Sequence, residues 1–156
     1  MKNPNKSITI GETQIDPGER VNISLPVADL YTSTSLSMPV QVICGRQKGP
    51  VLFVSAAIHG DELNGVEIIR RLLKRSALRS LRGTLLAVPI VNVHGFLNQS
   101  RYLPDRRDLN RSFPGRAKGS IASRLANTFL EQVVSKAEFG IDQQTGAIDR
   151  SNLPQI

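Results

Sequence analysis

Tryptophan is absent from this 156-residue chain, and aromatic residues make up only 4% of it. Its core must therefore be aliphatic, and a platform of aromatic rings for stacking nucleobases is not supported. There is one cysteine, Cys44. A single thiol excludes an internal disulfide and a cysteine-based zinc site. Within the apolar stretch Pro39–Gly45 it reads as a small core residue. Histidine is scarce as well, with only His59 and His94. No apolar run approaches the length of a membrane span, and the N-terminus lacks an apolar signal core. The default expectation is a cytoplasmic protein that does not enter a membrane. Acidic groups are outnumbered, 13 against 20 Lys and Arg, giving a net charge of +7. Such a charge can signal a nucleic-acid or anionic-surface partner. Here the cations fall in two groups. Arg70, Arg71, Lys74, Arg75, Arg79 and Arg82 sit near the end of a predicted helix, where positive charge favours the dipole. Arg101, Arg106, Arg107, Arg111 and Arg116 lie in a loop. With few aromatics beside either group, nucleic acid is not the expected partner.

Against these absences stands one stretch around which the chain is organised, Val51 to Glu62. Val51–Ile58 is mostly apolar and uncharged, which reads as a strand buried on both faces. Gly60 is read as allowing a sharp turn after it. Leu63, Val66, Ile69, Leu72 and Leu73 then recur at helical spacing, predicting a helix over 62–75. His59, Asp61 and Glu62 thus lie where a buried strand gives way to a helix, the edge at which open α/β sheets bind ligands. His59 and Glu62 have H-x-x-E spacing, which lets one turn aim both at a single point. Imidazole nitrogen and carboxylate oxygen are both ordinary zinc ligands. A purely structural reading also exists: a hydrogen-bonded strand-end histidine and a first-turn carboxylate favouring the helix dipole.

The length suits one domain spanning 1–156. Residues 7–45 contain short apolar runs broken by Asp16-Pro-Gly and Ser-rich turns, predicting two or three antiparallel strands at a sheet edge. The core over 46–156 continues with a second buried strand over 84–91, whose Pro89 implies a strand end, bulge or edge. Strand, helix, strand is a right-handed βαβ unit. Ser120 is a candidate N-cap for a helix over 120–136, and a third buried strand is expected over 139–143. The fold class is α/β with a mixed, mostly parallel central sheet. Between them, residues 93–119 form a long polar loop, of a length more often functional than incidental.

That loop holds Arg101 and the run Asp108-Leu-Asn-Arg111. Arg101 and Arg111 can grip a carboxylate through forked hydrogen bonds or polarise a carbonyl oxygen. Asn110 can donate to the same anion, and Asp108 can fix the loop by accepting from backbone or arginine groups. The alternative is an ordinary turn with a surface ion pair.

Together, His59-Gly-Asp-Glu62 after an apolar strand, Asn92-Val-His-Gly-Phe96, and Arg101 with Asp108-Leu-Asn-Arg111 closely resemble the succinylglutamate desuccinylase/aspartoacylase family, over about residues 40–156. The resemblance implies a zinc-carboxypeptidase-like three-layer sandwich. It also implies metal-assisted hydrolysis of an amide in a small N-acyl amino acid or similar compound. By the same resemblance His59 and Glu62 match two zinc ligands. Arg101 matches the group that polarises the scissile carbonyl, and Asn110 and Arg111 match the pair that binds the substrate carboxylate. Zinc would activate a water, and a glutamate would serve as base.

Two departures temper this expectation. The family's third ligand is a histidine, and the matching position is Gln144, a neutral oxygen donor poorly suited to replace imidazole. His94 stands where the family places no ligand. The family's glutamate base and a small C-terminal β domain lie beyond Ile156, so the domain is expected to be partial. The sequence therefore supports an impaired zinc-dependent hydrolase with zinc weakly bound or absent. The alternative, which the chemistry of the residues favours where the resemblance favours the hydrolase, is a non-catalytic relative that binds a small carboxylate or other anion through Arg101, Asn110 and Arg111. Homo-oligomerisation is left open.

Overall fold

The computed structural model describes residues 4–29 and 35–146. The Ser-rich turn expected after the first long strand falls partly on residues 30–34, outside the described residues. Strands β1 (Ile8–Ile10) and β2 (Thr13–Ile15) form a separate antiparallel hairpin. They are followed by β3 (Arg20–Asp29), β4 (Ser35–Cys44) and β5 (Gln47–Ala56), then α1 (Asn64–Leu72) and β6 (Arg82–Val88). The chain continues through α2 (Val93–Leu97) and α3 (Ile121–Gln132) to β7 (Phe139–Gln143). Five strands make one mixed sheet in the order β3-β4-β6-β5-β7. The β6–β5 and β5–β7 pairs are parallel, while the N-terminal strands contribute the antiparallel pairs β3–β4 and β4–β6. The parallel β5–β6 pair, joined through α1, is the expected βαβ unit.

Period-two alternation builds a core on each face of the sheet. Leu85 and Ala87 of β6 join Val54 and Ala56 of β5 and Ile69 of α1 in one cluster. Leu86 and Val88 point the other way, into a larger cluster with Val40, Val42, Ile10, Ile15, Leu125 and Phe129. Helix α1 therefore covers one face, and α3 with the β1–β2 hairpin covers the other, giving three layers. The scarce aromatics gather under α3. Phe129 meets Phe53 and Phe113 edge to face, with ring centroids 5.9 and 6.1 Å apart, a favoured quadrupolar arrangement. Cys44 is buried in this layer, as expected. Among the described residues no helix is long and apolar enough to cross a membrane.

Several boundaries differ from the expected ones for identifiable reasons. Strand β5 ends at Ala56 rather than 58, because Ala57 takes a positive φ of 52° that breaks the extended chain. Strand β6 ends at Val88, directly before Pro89, which has no N–H to donate to a ladder. Helix α1 begins at Asn64, since His59 to Leu63 form a turn closed by Glu62 N–H on the His59 carbonyl (3.1 Å). It ends at Leu72, and a short 3-10 segment, Ser76–Ser80, follows. The second predicted helix is divided at Val133, whose φ of −123° is not helical, leaving Val134–Lys136 as a 3-10 turn. Ser120 does cap α3, accepting from Ser123 N–H at 3.2 Å. The stretch 93–119 is more ordered than a plain loop. Asn92 caps α2 by accepting from Gly95 N–H (2.8 Å), and Leu109–Arg111 make one 3-10 turn.

Candidate active site

The parallel strands β5, β6 and β7 point their carboxyl ends at the same edge of the sheet. There the chain leaving β6 is tied to the chain leaving β5, with Val91 and Asn92 N–H donating to the carbonyls of Ala56 and Ala57 (3.0 and 2.9 Å). His59 follows β5 by three residues. Gly60 is needed for close approach rather than for an unusual φ. A Cβ there would lie 1.8 Å from the Gly95 carbonyl carbon in the middle of α2. Gly60 N–H also donates to Ser100 O at 3.1 Å. The His-Gly-Asp-Glu turn and the Asn-Val-His-Gly turn are thus pressed backbone to backbone, and this fixes where His59 can point.

His59 is 2% exposed and Glu62 4%. His59 Nδ1 lies 2.7 Å from Glu62 Oε1. The other ring nitrogen, Nε2, lies 3.0 Å from Asp108 Oδ1. Asp108 is the organising acceptor of the site. Its Oδ1 also accepts from Asn110 N–H (2.9 Å), and its Oδ2 accepts from Arg101 Nε and a terminal guanidinium nitrogen, both at 3.0 Å. Burial pushes the Asp108 carboxyl up. The hydrogen bonds from His59, from the Asn110 N–H and from Arg101 outweigh it and leave the group below the ordinary carboxylate value. A further guanidinium nitrogen of Arg101 stands 4.0 Å from Glu62 Oε1. The result is a continuous polar chain, Glu62–His59–Asp108–Arg101, assembled from the β5–α1 turn and the loop after α2. Sequence reasoning gave Asp108 the role of fixing the loop, which it performs. Its contact with His59, 49 residues away, carries no local signal and was not foreseen.

The remaining candidates are placed differently. Asn110 and Arg111 share the 3-10 turn that Asp108 caps, and both side chains are exposed. Only the backbone N–H of Asn110 reaches the buried chain. Of the three expected anion-binding residues, Arg101 lies against Asp108 and near Glu62, while the Asn110 and Arg111 side chains are exposed on the neighbouring turn. Gln144 follows β7 and its side chain donates to Asp142 Oδ2 (2.9 Å); Asp142 in turn accepts from buried Ser55 (2.6 Å). It is the neighbouring Thr145 N–H that reaches Glu62, donating to Oε2 at 2.8 Å. His94 Nε2 pairs with the side chain of Asn98, the residue that follows α2. Buried without a hydrogen-bond partner among the described residues are Asp61 Oδ1, at the centre of the His59–Glu62 turn, Asn92 Nδ2, His94 Nδ1 and Arg124 Nε.

The donor chemistry can be tested against zinc. His59 Nδ1 and Glu62 Oε1 face one another at hydrogen-bond distance, and Asp108 on Nε2 would be the carboxylate partner that orients the ring if the imidazole ligated a metal through Nδ1. These two are strong donors. Among the described residues no group of three or more His, Cys, Asp or Glu side chains is placed to hold a metal. Catalytic zinc takes three protein ligands, so the described set is one short. Gln144, the matched third position, is neutral and already bonded to Asp142.

A three-layer mixed sheet, with an H-x-x-E turn at its parallel edge and an arginine-bearing loop folded onto it, defines a carboxypeptidase-like α/β domain. More narrowly, the chain belongs to the succinylglutamate desuccinylase/aspartoacylase catalytic-domain family, whose model matches residues 48–156. It is 27% identical over 133 residues to the N-alpha-acetyl-L-2,4-diaminobutyric acid deacetylase of Halomonas elongata, covering 85% of this chain and 39% of that protein. Among solved structures it superposes on the product-bound ectoine utilization protein EutE (DoeB) of Ruegeria pomeroyi. The TM-score is 0.75 with 29% identity, covering 94% of this chain and 44% of the other. A succinylglutamate desuccinylase from a Silicibacter species gives a TM-score of 0.76 with 27% identity and the same shares, 94% and 44%. The chain thus spans between 39% and 44% of the length of these relatives.

Proposed function

We propose that this chain carries the ligand and anion-recognition part of a metal-dependent deacylase site acting on small N-acyl amino acids, and that Gln144 at the third ligand position impairs it. The observation that carries the reading is the buried polar chain Glu62–His59–Asp108–Arg101 at the carboxyl edge of the parallel strands. In this reading His59 and Glu62 hold zinc, which when bound supplies Lewis acidity and an activated water. Asp108 keeps the His59 ring oriented through Nε2. Arg101, two-thirds buried and anchored on Asp108, has guanidinium N–H left to polarise a carbonyl oxygen. Asn110 and Arg111, exposed on the neighbouring turn, bind the substrate carboxylate, the guanidinium by a fork and the amide by one N–H. Support for the substrate class comes from relatives named as a deacetylase and a desuccinylase.

Gln144 favours the second reading, a relative that binds a small carboxylate without turning it over. Two strong donors on one turn leave a zinc ion largely hydrated and easily lost, and an amide oxygen adds no charge.

The two readings are separated by zinc titrations and hydrolysis assays on the wild type, His59→Ala and Gln144→His. Weak zinc binding in the wild type, abolished by His59→Ala, is expected. Gln144→His should tighten it at least about tenfold, or roughly 1.4 kcal/mol. Slow hydrolysis of an N-acetyl amino acid that follows zinc loading supports the impaired enzyme. Saturable carboxylate binding without turnover at any zinc concentration supports the binding module. Turnover at ordinary enzymatic rates would overturn the impaired reading. Tight stoichiometric zinc in the His59→Ala variant would overturn the ligand assignment.

A further inference from the structure

The end of the sheet opposite His59 carries a second concentration of charge. A cavity of about 640 Å³ opens there between the β2–β3 turn, the β4–β5 turn and the segment that follows α1. Arg20, Arg46, Lys74, Arg75 and Arg79 line it against one carboxylate, Glu19. That volume lies within the range of small-molecule sites. Strand β5 has ten residues and separates the two ends by roughly 30 Å at the usual rise of a strand, so this groove is distinct from the candidate active site.

The cations are not consumed by the fold. On the outer face of α1, Arg70 and Arg71 are both paired with Glu67. Arg20 is committed as well, donating to Leu73 O at the end of α1 (2.9 Å) and to Gln41 (2.7 Å). Arg46, Lys74, Arg75 and Arg79 have no carboxylate or hydrogen-bond partner for their side chains among the described residues, although they come from two different segments facing one cavity. The turns beneath them are pinned. Gly18 N–H donates to Cys44 O (2.7 Å), Cys44 N–H to Glu19 O (2.9 Å), and Gly45 N–H to Gly83 O (2.8 Å). Like charges gathered on a fixed frame repel one another unless an anion joins them, and guanidinium forks match phosphate oxygens two at a time.

We propose that this groove is an anion site for a small molecule bearing two or more phosphoryl groups, held by Arg46, Lys74, Arg75 and Arg79. The number of unpaired cations selects a polyanion over a single carboxylate, which distinguishes this ligand from the substrate carboxylate proposed at Arg101. The inference does not depend on the proposed hydrolytic function.

The test is calorimetric titration of the full chain with inorganic pyrophosphate at low salt. Saturable 1:1 binding is expected. It should weaken at least about tenfold in the double variant Arg46→Ala, Arg79→Ala, because two charge-assisted forks are removed. It should weaken further as salt shortens the screening length. Arg101→Ala should leave it unchanged. All the substituted groove residues are exposed, and circular dichroism checks that the variants remain folded. A parallel arm with ADP and with phosphatidylcholine vesicles, with and without phosphatidylinositol bisphosphate, tells a free phosphate compound from a lipid headgroup by which one displaces pyrophosphate. Absence of saturable binding, binding that survives the double substitution, or binding lost with Arg101→Ala alone would each overturn the proposal.

Discussion

Asp108 shows what a single side chain contributes to this molecule. It receives His59, Arg101 and the Asn110 backbone at once, so its loss strands a buried ring nitrogen and a two-thirds buried guanidinium together. Asp108→Ala is expected to destabilise the fold by about 1–3 kcal/mol, the usual cost of leaving buried polar groups without acceptors. Urea unfolding measures this, and a loss under about 0.5 kcal/mol, within the range of ordinary surface substitutions, would show that the chain of contacts is not maintained in solution. Gly60 makes a sharper case. An added methyl would overlap the Gly95 backbone, so Gly60→Ala should cost about 3 kcal/mol, at the upper end of overpacking, and should displace His59. Retained wild-type stability together with unchanged His59 ring resonances would sink that expectation. His59 and Glu62 were legible in the sequence because a three-residue spacing after an apolar run is a local pattern. The Asp108 contact and the Gly60–Gly95 crossing were not, since both join segments whose proximity only the fold creates.

At the level of elements, the strands and the two longer helices follow from uncharged apolar runs and helical periodicity. Their ends do not, because they are decided by single backbone events at Ala57, Pro89 and Val133. Strand β7, expected to be buried, is an exposed edge strand, with Phe139 61% and Ile141 48% exposed, because among the described residues it pairs only with β5. Helix α2 is only five residues long, too short for periodicity, and its Asn92 cap is the one local cue. Helix α1 carries a further testable charge feature. Hydrogen bonds from Arg70 and Arg71 hold the Glu67 carboxyl at about 2, against an ordinary 4.5. A carboxyl lowered on folding stabilises above its unfolded value and loses that contribution as pH falls through the folded one. The contribution is therefore in place above pH 4.5 and fades as pH falls towards 2. Because the cluster is solvent-exposed, its effect on stability is small and screened. An NMR titration should find Glu67 well below 4.5 at low salt and returning towards it in the Arg70→Ala, Arg71→Ala double variant. A Glu67 midpoint identical in wild type and double variant would show the pairs do not form.

At the scale of the whole fold, the described residues build one five-stranded sheet with a core on each face, the β1–β2 hairpin helping to cover one of them, and stability must be shared between the two faces. Leu86 and Ile69 are both fully buried, one in the α3 layer and one beneath α1. Yet the strands that back each layer are the same, since β6 sends Leu86 to one side and Leu85 and Ala87 to the other. Neither face can lose its cover without exposing strands that the opposite face needs. Unfolding is therefore expected to be one cooperative transition in spite of two separate clusters. Leu86→Ala and Ile69→Ala should each cost about 2–5 kcal/mol, the range for large-to-small changes that leave a cavity. Both should lower the denaturation midpoint with little change in its slope. Hydrogen exchange followed by mass spectrometry provides the discriminating measurement. In each variant, protection in α1, in α3 and in the central strands β5 and β6 should fall together and by similar amounts. If Ile69→Ala releases α1 while α3 and the β1–β2 hairpin keep their protection, the two layers are independent folding units. The sheet would then be a partition between them rather than the common element that holds both.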